Sequence, residues 1–225
     1  MTLPSIIQNY QRKALETQFK AAHSIISQAL LSTQRELEVP SLYDEYTALD
    51  RSTGEYYKAQ TYIDAFYKQL RVVKNLSVEE IPEYSIYSDR GIKYKASNTS
   101  YSVTYPDAVL PNGMIIKTAV QGSMTGKKIL FIVDINGIKK PNRYGHDLFS
   151  FSIMSSDDKL VGEKKTRDYT EEELKELNSE FNDLLGVPCS RNSKQAVNGA
   201  GCTWYAINNI CPDDSSKGYW DCLPR

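Results

Sequence analysis

The sequence predicts an α+β fold in which a long N-terminal helix packs on an antiparallel β-sheet. Residues 5–38 contain neither glycine nor proline and are rich in helix formers. Residues 100–154 carry several short strand-like runs separated by turn residues. All four cysteines lie in the last part of the chain. Helix-rich and strand-rich stretches thus occupy separate parts of the chain, which distinguishes α+β from α/β folds.

The composition predicts a globular protein with a substantial core, because 40% of the 225 residues are hydrophobic. The 27 basic and 28 acidic residues leave a net charge of −1, so no overall field attracts nucleic acid or an anionic membrane. We expect a single domain over residues 1–225, in four consecutive parts: a protruding N-terminal helix (1–38), a helix and loop insertion (39–98), the antiparallel sheet (99–156), and a helix with the cysteine-containing region (157–225).

The first helix is expected to run from Ser5 to about Glu38. Its apolar residues recur every three or four positions and form a core-facing stripe: Leu15, Phe19, Ala22, Ile26, Ala29 or Leu30, Thr33 and Leu37. A helix of this length reaches roughly 50 Å, whereas a compact domain of this size is about 45 Å wide. The first turns must therefore project, and their apolar residues need a partner or a membrane.

Two further helices are predicted. The second begins at Ser52 or Thr53 and ends near Val72. The residues that share its apolar face are Tyr56, Ile63, Phe66, Tyr67 and Leu70. The third opens with a capping box formed by Thr170 and Glu173 and ends before a glycine.

Between these helices, four strand-like runs follow one another: residues 100–105, 113–120, 127–135 and 147–154. Proline, asparagine and glycine residues mark turns between them. Consecutive strands joined by short turns pair antiparallel, so an antiparallel sheet is expected.

The cysteine spacing predicts a cross-linked C-terminal region. The four cysteines are Cys189, Cys202, Cys211 and Cys222. They do not form the short C-x-x-C pairs of common zinc sites. We expect two disulfides, with all three connectivities open, and hence an oxidising compartment. Because the chain opens with no signal peptide or apolar span, we expect an export or membrane segment upstream of Leu3.

The stretch DINGIKKPNRYGHDLFSF, residues 134–151, has two interpretations. In the first it is a hairpin loop with a turn at Asn136 and Gly137. In the second it is a calcium loop, because hard cations bind oxygen ligands. The candidate ligands are Asp134, Asn136, Asn142 and Asp147, with carbonyls near Gly137 and Ile138. The EF-hand pattern is not met, because Ile138 stands where an acid or amide is required and the final Glu is absent.

No sequence feature predicts catalysis. Of the two histidines, His23 lies in the first predicted helix and His146 in the loop, and we expect neither to be catalytic or a ligand. Paired cysteines would leave no thiol nucleophile. The G-x-S-x-G, P-loop, G-x-G-x-x-G and H-E-x-x-H motifs are absent. We therefore expect a protein that is not an enzyme.

Three stretches resemble one bacterial family. LPSIIQNYQRKALETQFKAAHSIISQAL resembles the part of a type IV pilin or type II secretion pseudopilin that follows the membrane-embedded half of its N-terminal helix. DINGIKKPNRYGHDLFSF and GAGCTWYAINN are similar to central and C-terminal motifs of prepilin-type proteins. The family's leader, its Phe-Thr-Leu-Ile-Glu-like start and its apolar run do not occur in this chain.

The resemblance implies a single pilin-like, ladle-shaped domain that acts as a structural subunit, major or minor, of a type IV pilus or type II secretion pseudopilus. It implies a location in the bacterial inner membrane and periplasm, and then in a periplasmic or extracellular filament. The implied partners are other copies or other pilins, the inner-membrane assembly machinery, and the membrane through the upstream segment. The implied assembly residues are Leu3, Ile6, Ile7, Tyr10 and Ala14.

Some pseudopilins bind calcium in a surface loop, which supports the calcium interpretation of the 134–151 stretch. The alternative function is a secreted or surface-displayed binding or adhesion module, with or without dependence on calcium. Its contact surface would be the aromatic residues of the tail, Trp204, Tyr205, Tyr219 and Trp220. The other interpretation is that these rings pack around the disulfides.

Overall fold

The computed structural model describes residues 3–47, 59–77, 79–94, 107–121, 128–162, 188–195 and 198–223. Within these residues the fold is α+β. A long N-terminal helix and two shorter helices precede an antiparallel sheet, and a C-terminal region closed by two disulfides follows it. This order of elements agrees with the sequence prediction.

Helix α1 spans Leu3–Leu37, 35 residues, which confirms the prediction of one long helix. Most of the predicted core-facing stripe is buried, and its buried members are Phe19, Ala22, Ile26, Ala29, Leu30 and Thr33. Leu15 and Leu37 are half-buried. The Thr33 hydroxyl donates to the Ala29 carbonyl at 2.8 Å, so the polar group of this residue is satisfied inside the core.

Helix α2 is a short helix, Leu42–Tyr46, whose start is held from two sides. The Ser41 hydroxyl accepts a hydrogen bond from the Asp44 amide at 3.1 Å, as an N-cap does. The Asp158 carboxylate accepts from the Leu42 amide at 2.6 Å. A negative side chain at a helix start is favourable because the free amides carry partial positive charge.

Helix α3 spans Ala59–Leu70 and lies within the second helix predicted from the sequence. Its buried residues are Ala59, Tyr62, Ile63, Ala65, Phe66 and Leu70. The predicted face residues Ile63, Phe66 and Leu70 are therefore confirmed as core residues. The predicted start of this helix and Tyr56 lie outside the described residues.

The described residues contain eight strands, in chain order β1 (Lys74–Asn75), β2 (Tyr84–Ile86), β3 (Asp89–Tyr94), β4 (Ala108–Val109), β5 (Ile115–Gln121), β6 (Lys128–Asp134), β7 (Leu148–Ile153) and β8 (Val161–Gly162). Six of them form one sheet in the spatial order β1-β4-β5-β6-β7-β8, and β2 pairs with β3 separately. Every pair is antiparallel. Strands β5, β6 and β7 confirm three of the four predicted runs.

The insertion predicted to hold a helix and a loop, residues 39–98, also contributes β1, β2 and β3. Strand β1 adds to the edge of the main sheet, where Lys74 pairs with Val109. Its two residues are both exposed, so no apolar alternation marks them in the sequence. The strand predicted over 100–105 and the helix predicted after Thr170 lie outside the described residues.

Helices α1 and α3 cover one face of the sheet, and aromatic rings form this contact. The Phe19 ring of α1 lies 4.6 Å from the Phe149 ring and 5.4 Å from the Phe151 ring, between centroids. The Phe66 ring of α3 lies 5.2 Å from the Phe131 ring. All five rings are buried, so the core of the protein sits between the helices and the sheet.

A smaller apolar cluster covers the opposite face, and its members are Ile81, Tyr84, Leu130, Ile132, Tyr144 and Leu148. Lys117 pairs with Ile132 in the sheet register and so shares this face. The Lys117 ammonium lies 3.5 Å from the Asp107 carboxylate, and both residues are buried. This face therefore contains an ion pair shielded from solvent.

The C-terminal region is held by two disulfides, Cys189–Cys202 and Cys211–Cys222, with Cα atoms 5.0 Å and 5.9 Å apart. The prediction of two disulfides is confirmed, and of the three connectivities that the sequence left open the structure has the sequential one. Helix α4 (Thr203–Asn208) lies between them along the chain. The Trp220 ring lies 5.5 Å from the Phe19 ring, so this region closes against α1.

Candidate functional site

The loop between β6 and β7, residues 135–147, connects a hairpin, as the first interpretation of this stretch predicts. Asp134, the last residue of β6, pairs with Leu148, the first residue of β7. Beyond this pair, the Ile135 amide donates to the Asp147 carbonyl at 2.8 Å. The two predicted acidic ligands therefore lie at the same end of two adjacent strands.

Both glycines of the loop are required by close packing. Gly137 has φ 69°, and a Cβ atom there would lie 2.3 Å from the Gly113 carbonyl oxygen. Gly145 has φ 72°, and a Cβ atom there would lie 2.7 Å from the Tyr87 ring. A side chain at either position would meet both backbone strain and a steric clash. The orientation of the carbonyls that were predicted as ligands near Gly137 and Ile138 stays a prediction.

Asp134 is buried, and its carboxylate accepts hydrogen bonds from Tyr84 and from the loop backbone. Its relative exposure is 1%. The Tyr84 hydroxyl donates to one carboxylate oxygen at 2.6 Å, and the Asn136 amide donates to the other at 3.2 Å. Burial, and after it the charge of Asp147, raises the pKa of Asp134 well above its usual range. Asp134 and Asp147 lie at the same end of β6 and β7, so the charge of one carboxyl group affects the ionisation of the other.

Asp147 is fully buried, with a relative exposure of 0%. The Asn142 amide donates to one carboxylate oxygen at 2.7 Å, and the Arg143 amide donates to the other at 2.6 Å. Burial raises the pKa of Asp147 to about 7, and these backbone hydrogen bonds oppose the rise. Asp147, the residue before β7, therefore anchors the loop backbone at Asn142 and Arg143.

Asn136 and Asn142 complete the predicted set of four ligands. Each has a side-chain oxygen that is shielded from solvent and accepts no hydrogen bond within the described structure. The Asn136 amide group donates to the Lys140 carbonyl at 3.4 Å, and its side chain also stabilises the ionised form of Asp147. The loop therefore combines two buried carboxylates with two amide oxygens that lack a donor.

Arg143 and His146 are buried in the same loop, and no pattern in the sequence marks Arg143 as a site residue. The Arg143 guanidinium donates to the Ile86 carbonyl at 3.2 Å and to the Tyr87 carbonyl, so it ties the loop to the end of β2. His146 is 6% exposed. Burial, and after it the charge of Arg143, lowers the pKa of His146 well below its usual range, so its imidazole is neutral.

The side chains of this loop that were predicted as ligands offer oxygen atoms, from two carboxylates and two amides. The described part of the chain contains no group of three or more His, Cys, Asp or Glu side chains placed to hold a metal ion. A cation in the loop would therefore need the amide oxygens as well as the two carboxylates. Such mixed oxygen sets are typical of calcium sites.

A second candidate site is the N-terminal part of α1, where the predicted assembly residues lie. Ile6, Ile7 and Tyr10 have relative exposures of 51%, 49% and 77%. Ala14 is half-buried, and Leu3 begins the helix. In the described structure the first turns of the helix thus present large apolar side chains to solvent.

The tail aromatics do not form the contact surface that the alternative function requires. Tyr205, Tyr219 and Trp220 are buried, and only Trp204 is half-buried. The Tyr219 hydroxyl donates to the Gly145 carbonyl, and its ring lies 6.4 Å from Phe149. Tyr205, Tyr219 and Trp220 join Cys189 and Cys202 in the main core, as the packing interpretation of these rings predicts.

No protein-family model, no curated protein and no solved structure matches this chain. Among the described residues, no helix has both the length and the apolar character needed to cross a bilayer.

Proposed function

We propose that the chain is a structural subunit of a bacterial filament of the type IV pilus or type II secretion pseudopilus kind, and that it assembles with its own copies or other pilins through the first turns of α1. The observation that supports this proposal is the exposure of Ile6, Ile7 and Tyr10. The resemblance of three sequence motifs to prepilin-type proteins supports the choice of filament.

The exposed apolar segment lies well away from the core along the same helix. All six residues from Ile6 to Gln11 are exposed, and going on from there along the helix the first buried residue is Phe19. At about 1.5 Å per residue, the distance along the axis from Ile6 to Phe19 is roughly 20 Å. A side chain there gains apolar burial from a neighbouring molecule, because its own domain does not cover it.

Self-assembly suits this arrangement. A surface that meets a different surface of an identical neighbour forms an open helical array, which is a filament. Burial of one apolar helix against its neighbours would then repeat along the filament. In this proposal the subunit has a ladle shape, with the projecting part of α1 as the handle and the sheet and disulfide-closed region as the bowl.

The disulfides support the location that belongs to this function. Structural disulfides persist in oxidising compartments such as the bacterial periplasm and the cell surface. The proposed location is therefore the inner membrane and periplasm before assembly and the filament afterwards, with the inner-membrane assembly machinery as a further partner.

The test compares two substitutions of the same kind on α1. Ile6→Asp places a charge on the projecting segment, whereas Leu31→Asp places one on the packed half at a residue that is 55% exposed. Neither side chain is buried in its own domain, so each variant should keep its thermal stability. Chemical cross-linking in the cells that make the protein, followed by immunoblotting, measures self-association.

We expect a ladder of cross-linked multimers for the wild type and for Leu31→Asp, and its loss for Ile6→Asp. A wild type that yields no multimers, or an Ile6→Asp variant that multimerises as well as Leu31→Asp, would overturn the proposal. Either result would favour the alternative function, a binding or adhesion module.

A further inference from the structure

A lysine and an aspartate face each other at the edge of the main sheet, on the side opposite to the helices. Strand β4 pairs with β5 so that Ala108 lies opposite Ile116. The next step of this antiparallel register places Asp107 opposite Lys117. The Lys117 Nζ atom lies 3.5 Å from the Asp107 Oδ2 atom. A primary amine and a carboxyl group, which are the two reactants of an amide bond, are therefore held side by side.

Both side chains are shut away from water. Lys117 and Asp107 have relative exposures of 5% and 6%. Ile132, a member of the apolar cluster on this face, lies opposite Lys117 in the β5–β6 register. Among the described residues, no other carboxylate is in ion-pair contact with Lys117. The two groups thus have each other as reaction partners in surroundings that exclude solvent.

An amide suits these surroundings better than two charges do. The attraction between two buried charges often fails to offset the cost of removing them from water. Burial raises the pKa of Asp107 despite the opposing charge of Lys117, so the neutral acid is favoured. Transfer of one proton from the ammonium to the carboxylate gives a neutral acid beside a neutral amine, and a neutral amine is a nucleophile. Exclusion of water then opposes hydrolysis of the product.

We propose that Lys117 and Asp107 condense into an intramolecular amide, which ties the residue before β4 to β5. The Lys117 nitrogen attacks the Asp107 carboxyl carbon, and a C–N bond forms as a C–O bond breaks. The leaving oxygen takes two of the three ammonium protons and departs as water. The pair therefore carries every atom and proton of the reaction, and strand pairing supplies the proximity. The bond forms within one chain, so it does not depend on filament assembly.

Such a bond would reinforce the weakest edge of the sheet. Strands β1 and β4 each have only two residues, so few backbone hydrogen bonds hold them. Strand β1 pairs with β4, and β4 joins both of them to the longer β5. A covalent tie at Asp107 would keep this edge attached when the hydrogen bonds open.

The first experiment measures the mass of the intact, purified chain. Mass spectrometry should give the mass of the sequence, corrected for the hydrogens lost to the two disulfides, less the mass of one water molecule. The deficit should persist after reduction and heat denaturation, because an ion pair dissociates on unfolding whereas an amide does not.

The second experiment locates the missing water. Lys95 and Lys127 flank a stretch, residues 96–127, in which Lys117 is the one internal trypsin site. Trypsin cuts this stretch in two when the Lys117 side chain is free. The amide blocks that cut, so the stretch should appear as one peptide that lacks one water. Cyanogen bromide cleaves after Met114, between the two linked residues, and the resulting pieces should stay joined.

Lys117→Arg is the matched control. Arginine keeps a cation beside Asp107 and keeps the trypsin site, but its guanidinium stays protonated and does not condense with a carboxyl group. We expect this variant to have its full mass and to be cut by trypsin at position 117. Asp107→Ala removes the carboxyl group, should also restore the full mass, and serves if Lys117→Arg does not fold.

A wild type with its full mass, in which trypsin cuts after Lys117, would overturn the proposal. So would a peptide that lacks one water but is still cut after Lys117, because that result identifies a cyclic imide at Asp107. A deficit that persists in Lys117→Arg would place the lost water elsewhere and would equally refute the cross-link.

Discussion

Replacing Phe19 with alanine tests where α1 enters the body of the protein. Phe19 is 2% exposed, and its ring lies 4.6 Å from Phe149, 5.4 Å from Phe151 and 5.5 Å from Trp220. It therefore joins the helix, the sheet and the disulfide-closed region in one contact. Phe19→Ala would leave a cavity at this junction, where three separate parts of the fold meet.

The expected cost follows from the buried area and agrees with the known range for such changes. A buried aromatic side chain removes about 150–250 Å² from water, which at about 25 cal/mol per Å² corresponds to roughly 4–6 kcal/mol as an upper bound. Buried Phe→Ala changes cost about 3–5 kcal/mol. We therefore expect Phe19→Ala to lower the free energy of unfolding by about 4 kcal/mol.

The matched control is Tyr10→Ala on the same helix. Tyr10 is 77% exposed, so its removal should change the free energy of unfolding by about 0.5 kcal/mol or less. Urea denaturation followed by circular dichroism, with the disulfides intact, measures both variants. A loss below about 1 kcal/mol for Phe19→Ala, or equal losses for the two variants, would refute the assignment of Phe19 as the start of the packed half.

Two further predictions concern the opposite face and the tail. Lys117→Met should destabilise the protein by about 3–5 kcal/mol, because it leaves the Asp107 carboxylate buried without its ion partner. In chemical denaturation, the double variant Lys117→Met with Asp107→Asn should recover most of this loss. Replacing both Cys211 and Cys222 with serine should cost about 3 kcal/mol, because their disulfide closes a short loop. A double variant as stable as the wild type in calorimetry would contradict this.

The sequence by itself determined the elements whose structure is local. Helix α1 follows from a long stretch without glycine or proline and from apolar residues at helical spacing, which place Phe19 and Ile26 in the core before any partner is known. Strands β5, β6 and β7 follow from their apolar runs and the turns between them. The length of the helix also predicted that its first turns project.

The candidate loop was predicted only in part. Its four oxygen-bearing residues could be selected because they are close in sequence and separated by turn residues. Tyr84 and Arg143 could not be assigned to it, because Tyr84 lies 50 residues from Asp134 along the chain and Arg143 resembles an ordinary solvated loop residue. Their roles depend on the packing of β2 against the second face of the sheet.

Tertiary structure alone decided which distant segments meet. The sequential pairing of the disulfides, the addition of β1 to the sheet edge and the burial of Tyr219 and Trp220 all depend on contacts between separated parts of the chain. Spacing and composition do not distinguish such contacts, because several arrangements close similar loops at similar entropic cost. The packing of the helices and the tail on the sheet selects one of them.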